Sequence, residues 1–183
     1  MKKIVVASMM CLLLGITGCN TKVKEEAMAQ TTEIVSELGE ISFTLNGYWG
    51  IKTSEELEKI KVSNSQFCDL EFYHTQTGSG VSIIYDDLTK TQGGTLVRME
   101  DYVAAIRDSL ENSKEYTYHC SEISSDTLHE KEYMTFSAKV SEQEGMQYYY
   151  IRRIDNQMMI MIFNLYGEDQ LEDIINLSGI ADN

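Results

Sequence analysis

The sequence predicts an α+β fold in which helices flank both faces of a largely antiparallel β-sheet. Three observations carry this expectation. Met99, Tyr102, Val103, Ile106 and Leu110 recur at helical spacing, and Glu100, Asp101, Arg107, Asp108 and Glu111 occupy the opposite side. Seven other segments read as strands. The last, Gln157 to Leu165, carries Met159, Met161 and Phe163 on one face and Met158, Ile160 and Ile162 on the other. A strand that is apolar on both sides must be covered on both sides.

The elements follow in chain order. Lys2 and Lys3 precede an apolar run from Ile4 to Leu14, and Gly15 to Gly18 bring small residues up to Cys19. This is the layout of a secretory signal peptide. The run is too short to span a bilayer, which takes about 20 apolar residues. From Asn20 to about Glu40 the chain is rich in Thr, Lys and Glu, and it reads as a polar tether of about 25 Å as a flexible coil. Ile41 to Leu45 alternates as a strand and ends at an Asn46-Gly47 turn. Thr53 and Glu56 have capping-box spacing ahead of a short helix from Ser54 to Ile60.

Strands over Leu70 to Thr75 and Val81 to Asp86 flank Gly78-Ser79-Gly80, where a hairpin tip explains the serine better than a nucleophile does. After the helix from Met99 to Asn112, strands return over Tyr116 to Ser124, Lys131 to Val140, Met146 to Ile154 and Gln157 to Leu165. Asp155-Asn156 suits a two-residue hairpin between the last two. A closing helix over Asp169 to Ser178 has capping-box spacing at Asp169 and Glu172.

Ile16-Thr17-Gly18-Cys19 resembles the lipobox of bacterial lipoproteins: an aliphatic residue, two small residues and a cysteine. The resemblance implies thioether lipidation of Cys19, cleavage after Gly18 and acylation of the new amino group. Two or three acyl chains anchor durably, because each buried CH₂ contributes about 0.8 kcal/mol. The expected division is a signal peptide over 1–18, a lipidated cysteine and tether over 19–39, and one domain over 40–183. Cleavage removes Lys2 and Lys3 and no acidic residue, taking the formal charge from -14 to -16. Such a surface repels phosphate backbones, so the sequence argues against nucleic-acid binding.

A secreted leader, the turn Leu45-Asn46-Gly47-Tyr48-Trp49, two strands, a helix containing Met99-Glu100-Asp101-Tyr102, four strands and a terminal helix resemble the PsbP-like fold. The likeness covers about Gly39 to Ser178. It implies an α/β/α sandwich that binds or assembles other proteins and has no shared catalytic residues. Family members often carry Pro before the Gly-Trp turn, and this chain contains none.

Residues able to do chemistry are sparse. His74, His119 and His129 stand apart and form no metal-ligand spacing, and no nucleophile elbow, P-loop or dinucleotide fingerprint is present. Asp86-Asp87 opens a loop but lacks the spaced oxygen ligands of a calcium site. No metal or other cofactor is therefore expected. Cys68 and Cys120 are candidates for a disulfide, with two separate buried thiols as the alternative. Tyr48 and Trp49 are the candidate interaction surface, with Trp49 expected to pack and Tyr48 to lie nearer the surface.

The sequence thus predicts a non-enzymatic binding or assembly module, extracytoplasmic and anchored through Cys19 to the outer face of the cytoplasmic membrane, with a protein as partner. An enzyme using Cys68 or a loop carboxylate, and a small-ligand receptor with an apolar pocket, are the alternatives.

Overall fold

The computed structural model describes residues 31–60, 63–141 and 144–181. Gly18, Cys19 and the first part of the expected tether lie outside the described residues. The end of that tether is a strand instead. β1 (Thr31–Ser36) pairs antiparallel with β2 (Ile41–Asn46), from Thr31 opposite Asn46 to Ser36 opposite Ile41. Its inward positions are Ile34, which faces the core, and Ser36, which is fully buried and shares a 2.6 Å hydrogen bond with the Tyr85 hydroxyl. One apolar residue and one buried hydroxyl make too weak an alternation to stand out in a polar segment.

β3 (Trp49–Ile51) leads into α1 (Ser54–Lys59), where Glu56 Oε2 accepts hydrogen bonds from the Thr53 backbone and hydroxyl at 2.8 and 2.9 Å. β4 (Gln66–His74) and β5 (Gly80–Asp87) form the first hairpin of the main sheet, with a bulge between Cys68 and Leu70. Gly80 is required there, because a Cβ would stand 2.2 Å from the Phe72 carbonyl. α2 (Met99–Glu111) opens with Glu100 and Asp101, carboxylates that suit the positive end of the helix dipole. Of the expected strand from Tyr116 to Ser124 only β6 (Tyr118–Cys120) forms; β7 (Ser124–Leu128), which was not expected, starts at its last residue, and both pair with β8 (Lys131–Val140). β9 (Gly145–Ile154) and β10 (Gln157–Tyr166) form the expected hairpin, with Asp155 at φ 50° in the turn.

The closing helix is shorter than its pattern suggests. α3 (Leu171–Ile175) has Gln170 at its N-cap position, with no side-chain capping bond, and gives way to β11 (Ser178–Ile180), which pairs with β2. Asp169 is free of the capping role because its carboxylate is used elsewhere.

The eight-stranded sheet runs β3-β4-β5-β10-β9-β8-β6 with β7 beside β8, and β1-β2-β11 forms a second sheet; every pairing is antiparallel. β10 divides the core as expected. Met158, Ile160 and Ile162 meet Tyr102, Val103, Ile106 and Leu110 of α2 on one face, with Leu57 and Ile60 of the α1 region beside them. Met159, Met161 and Phe163 meet Ile41, Phe43 and Leu45 of β2 and Ile174 of α3 on the other. That second layer is therefore a small sheet with one short helix, which corrects the expectation of a helical layer there. No described helix is long and apolar enough to cross a membrane.

Candidate functional site

The Asn46-Gly47-Tyr48-Trp49 turn lies where β3 meets the end of β4. Asn46 Oδ1 accepts from the Tyr48 amide at 3.0 Å, and the Tyr48 carbonyl accepts from the Thr75 amide and hydroxyl at 2.8 and 2.9 Å. These bonds fix the turn to the β4–β5 connection. Trp49 pairs with His74, and its ring stands edge-on to Phe72 at 5.5 Å and to His74 at 5.3 Å. The Tyr48 ring lies 6.1 Å from the same histidine. Both aromatic residues are half-buried, and Trp49 packs against the core of the small-sheet face.

His74 Nδ1 lies 3.1 Å from Thr77 Oγ1, which donates to Asp169 Oδ2 at 2.5 Å. Burial acts to raise the Asp169 carboxyl, but hydrogen bonds from Thr77 and Ser79, with the nearby His74, outweigh it and hold it below its ordinary value. Ser79, read as a hairpin tip, is buried and accepts from the Tyr166 amide at 2.9 Å.

The chemical meaning follows from the order of the three groups. A hydrolytic triad needs histidine between hydroxyl and carboxylate, so that the imidazole takes the hydroxyl proton. Here the hydroxyl sits between the other two, and its proton goes to a carboxylate made less basic by its surroundings. The arrangement ties the β4–β5 turn to the segment before α3. Beside it, Lys139, Met146, Tyr148, Leu165, Asp169 and Leu171 help line an open cleft of about 830 Å³.

The other residues singled out by sequence do not converge. His119 is exposed on β6, and His129 shares a 2.8 Å hydrogen bond with Ser178 that ties the β7–β8 turn to β11. Asp86 is buried and accepts from Tyr102 and Gln66 at 2.7 and 3.1 Å, whereas Asp87 caps the turn at Thr89. Among the described residues no three His, Cys, Asp or Glu side chains gather as a metal site would require.

The Cys68–Cys120 disulfide is corrected by the topology. Four strands, β5, β10, β9 and β8, separate β4 from β6. Five strand spacings amount to about 24 Å, against the 4.4–6.8 Å between Cα atoms that a disulfide spans. The two residues are thiols packed in or against the α2-side core. Cys68 Sγ donates to the Leu70 carbonyl at 3.5 Å. Burial, with Glu111 adding, pushes the Cys120 thiol up to about 11, which leaves little thiolate for nucleophilic work at neutral pH. Both should alkylate in unfolded protein that has never met a reductant; a linked pair on peptide mapping would contradict the strand order.

Sequence reasoning missed Thr77 and assigned Asp169 to a helix cap. Their contact spans 92 positions, and only the hairpin turn and the β10–α3 connection bring them together.

No family model matches the chain, and no curated protein matches it. Among solved structures, it is similar to cyanobacterial PsbP (CyanoP) from Synechocystis sp. PCC 6803, at a TM-score of 0.55 and 10% identity over 89% of this chain and 98% of that one. A protein from Bacteroides thetaiotaomicron VPI-5482 matches at a TM-score of 0.36 and 12% identity, over 82% of this chain and 48% of that one. The first likeness shows that the fold is PsbP-like, as the order of elements implies.

Proposed function

We propose that the protein is a lipid-anchored, extracytoplasmic, non-enzymatic module that docks another protein through the Tyr48 and Trp49 end of its sheet. The observation that carries this reading is where the chain enters the domain. β1 begins at Thr31 opposite Asn46, two positions before Tyr48. Only 12 residues of sequence separate Cys19 from Thr31, which limits the reach of an anchor on Cys19 to about 40 Å. An anchor on Cys19 therefore holds this aromatic end toward the membrane, where a membrane-borne partner would meet it. Trp49 is already ordered by Phe72 and His74, so a partner gains aromatic contact area with few rotamers left to freeze. The hydroxyl held between His74 and Asp169 supports binding rather than hydrolysis.

The test has two arms. Cys19→Ala should release a folded protein from membranes washed in high salt, and retention would refute the anchor. A photo-crosslinking residue in place of Tyr48 should trap a discrete protein in native membranes; lipid adducts alone, or no adduct, would refute the docking site.

A further inference from the structure

A second surface lies at the opposite end of β4. β3 stops at Ile51, opposite Phe72, so no described strand flanks the first half of β4 on its outer side. α1 occupies that side instead, leaving an open groove of about 1050 Å³ between the helix and Gln66–Asp69. Leu57 and Ile60 give it an apolar wall. Phe67 is 43% exposed although it is a large aromatic, and its ring is held rigid by stacking on Tyr85 at 5.4 Å. Among the described residues that line the groove, the charged ones are Glu55, Glu58, Asp69 and Lys59. Asp69 stands at the bulge of β4, and its Oδ2 is shielded from solvent with no hydrogen-bond partner.

We infer that this groove binds an extended, basic segment of a protein partner, separately from the Tyr48 end. Four residues of β4 span about 13 Å, the length of a strand-like segment of similar size. In such a segment alternate side chains point to opposite sides, so apolar residues reach Phe67 on the face it shares with Tyr85 while lysines or arginines reach Glu55 and Glu58 on the α1 side. Three carboxylates beside an exposed ring complement a cation flanked by apolar groups. The groove is too open to desolvate a small amine, whereas a chain lying along it covers Phe67.

The probe is a labelled octapeptide alternating lysine and valine, titrated by fluorescence anisotropy against the full mature chain, with an octapeptide alternating glutamate and valine as control. The lysine peptide should bind and the glutamate peptide should not. Glu55→Gln combined with Glu58→Gln changes only exposed side chains and should weaken binding about tenfold, as should Phe67→Ala. Glu100→Gln combined with Asp108→Asn removes equal charge from the exposed side of α2 and should leave binding within about twofold. An equal loss from both double variants would reduce the effect to bulk attraction and overturn the site. So would equal binding of the two peptides, or no binding of either. A dimer that dissociates on Phe67→Ala would assign the groove to a second copy of this chain and overturn the basic partner as well. None of these outcomes depends on Cys19 or Tyr48.

Discussion

On one face of the main sheet a single helix supplies most of the cover, and on the other a three-stranded sheet does, with α3 beside it. α2 brings Tyr102, Val103, Ile106 and Leu110 to the sheet from nine consecutive positions. The other layer draws on β1 and β2 from the start of the described chain and on α3 and β11 from its end. The fastenings differ in the same sense. Beneath α2 the Tyr102 hydroxyl donates to Asp86. The small-sheet layer is pinned by links distant in sequence: Ser36 to Tyr85, Arg152 Nη2 to the Gly39 carbonyl at 2.6 Å, Lys131 to Glu40, and His129 to Ser178. Burial pushes the Tyr85 hydroxyl up to about 12, so it keeps its proton and can serve as a donor. A layer assembled from distant segments needs such links, because each segment alone has too little apolar area to settle its own position.

Truncation of each layer gives the largest test of this contrast. Phe43→Ala, at a side chain with no exposure, should cost about 3–5 kcal/mol, and Ile106→Ala on α2 about 2–5 kcal/mol. Denaturant melts should show one transition for both variants if the layers share one cooperative unit. An unchanged midpoint for Phe43→Ala would make the small sheet an accessory layer and break the comparison.

Trp49→Ala should follow at about 3 kcal/mol, the low end for a large aromatic, because its ring is half-buried against Phe72. As the only tryptophan it also reports its own setting. A red-shifted, readily quenched emission together with an unchanged midpoint would show that the ring serves the docking surface alone and takes no part in the packing of the small-sheet face.

Smaller again are the hydroxyl deletions, which compare the fastenings directly. Tyr102→Phe leaves a buried Asp86 carboxylate with the Gln66 bond alone on Oδ2 and no partner on Oδ1, and should cost about 1.5–3 kcal/mol. Ser36→Ala removes a bond between two neutral hydroxyls and should cost about 1 kcal/mol. Reversal of that order in urea melts would show the small-sheet links to be the stronger ones.

Legibility in the sequence divides along the same line. α2 was readable because five apolar side chains repeat within one turn-by-turn stripe, and β10 because six alternate along one strand. The capping box of α1 and the Asp155-Asn156 hairpin were local as well. β1 was hidden because Ile34 and Ser36 face inward only in the presence of Phe43 and Tyr85, which lie 9 and 49 positions away. β3 and β11 are three residues each, too short for any period to register. Of the candidate site, the Tyr48-Trp49 turn was visible from its Asn-Gly signal. His74 was visible only as a lone strand residue, and the Thr77–Asp169 link not at all.

The smallest expected effect concerns that link, which fastens the β4–β5 turn to the layer containing α3. The Asp169 carboxyl is held below its ordinary value of 3.8 by Thr77, Ser79 and His74 working against burial. A carboxyl depressed in the folded state contributes stability that is fully present above its ordinary value and is lost as pH falls through the folded one. Asp169→Asn removes that contribution at neutral pH, at a loss of no more than about 0.5–1 kcal/mol for a half-exposed hydrogen bond. Acid should consequently matter less to the variant than to the parent below pH 3.8. Trp49 emission followed down an acid titration reads this directly, because its ring touches His74 at the end of the same chain of bonds. Glu40, depressed by its bond to Lys131, titrates identically in both proteins and drops out of the difference. Superimposable acid limbs would remove Asp169 from the fastening of the small-sheet layer and leave its attachment to Ser36, Arg152 and Ser178.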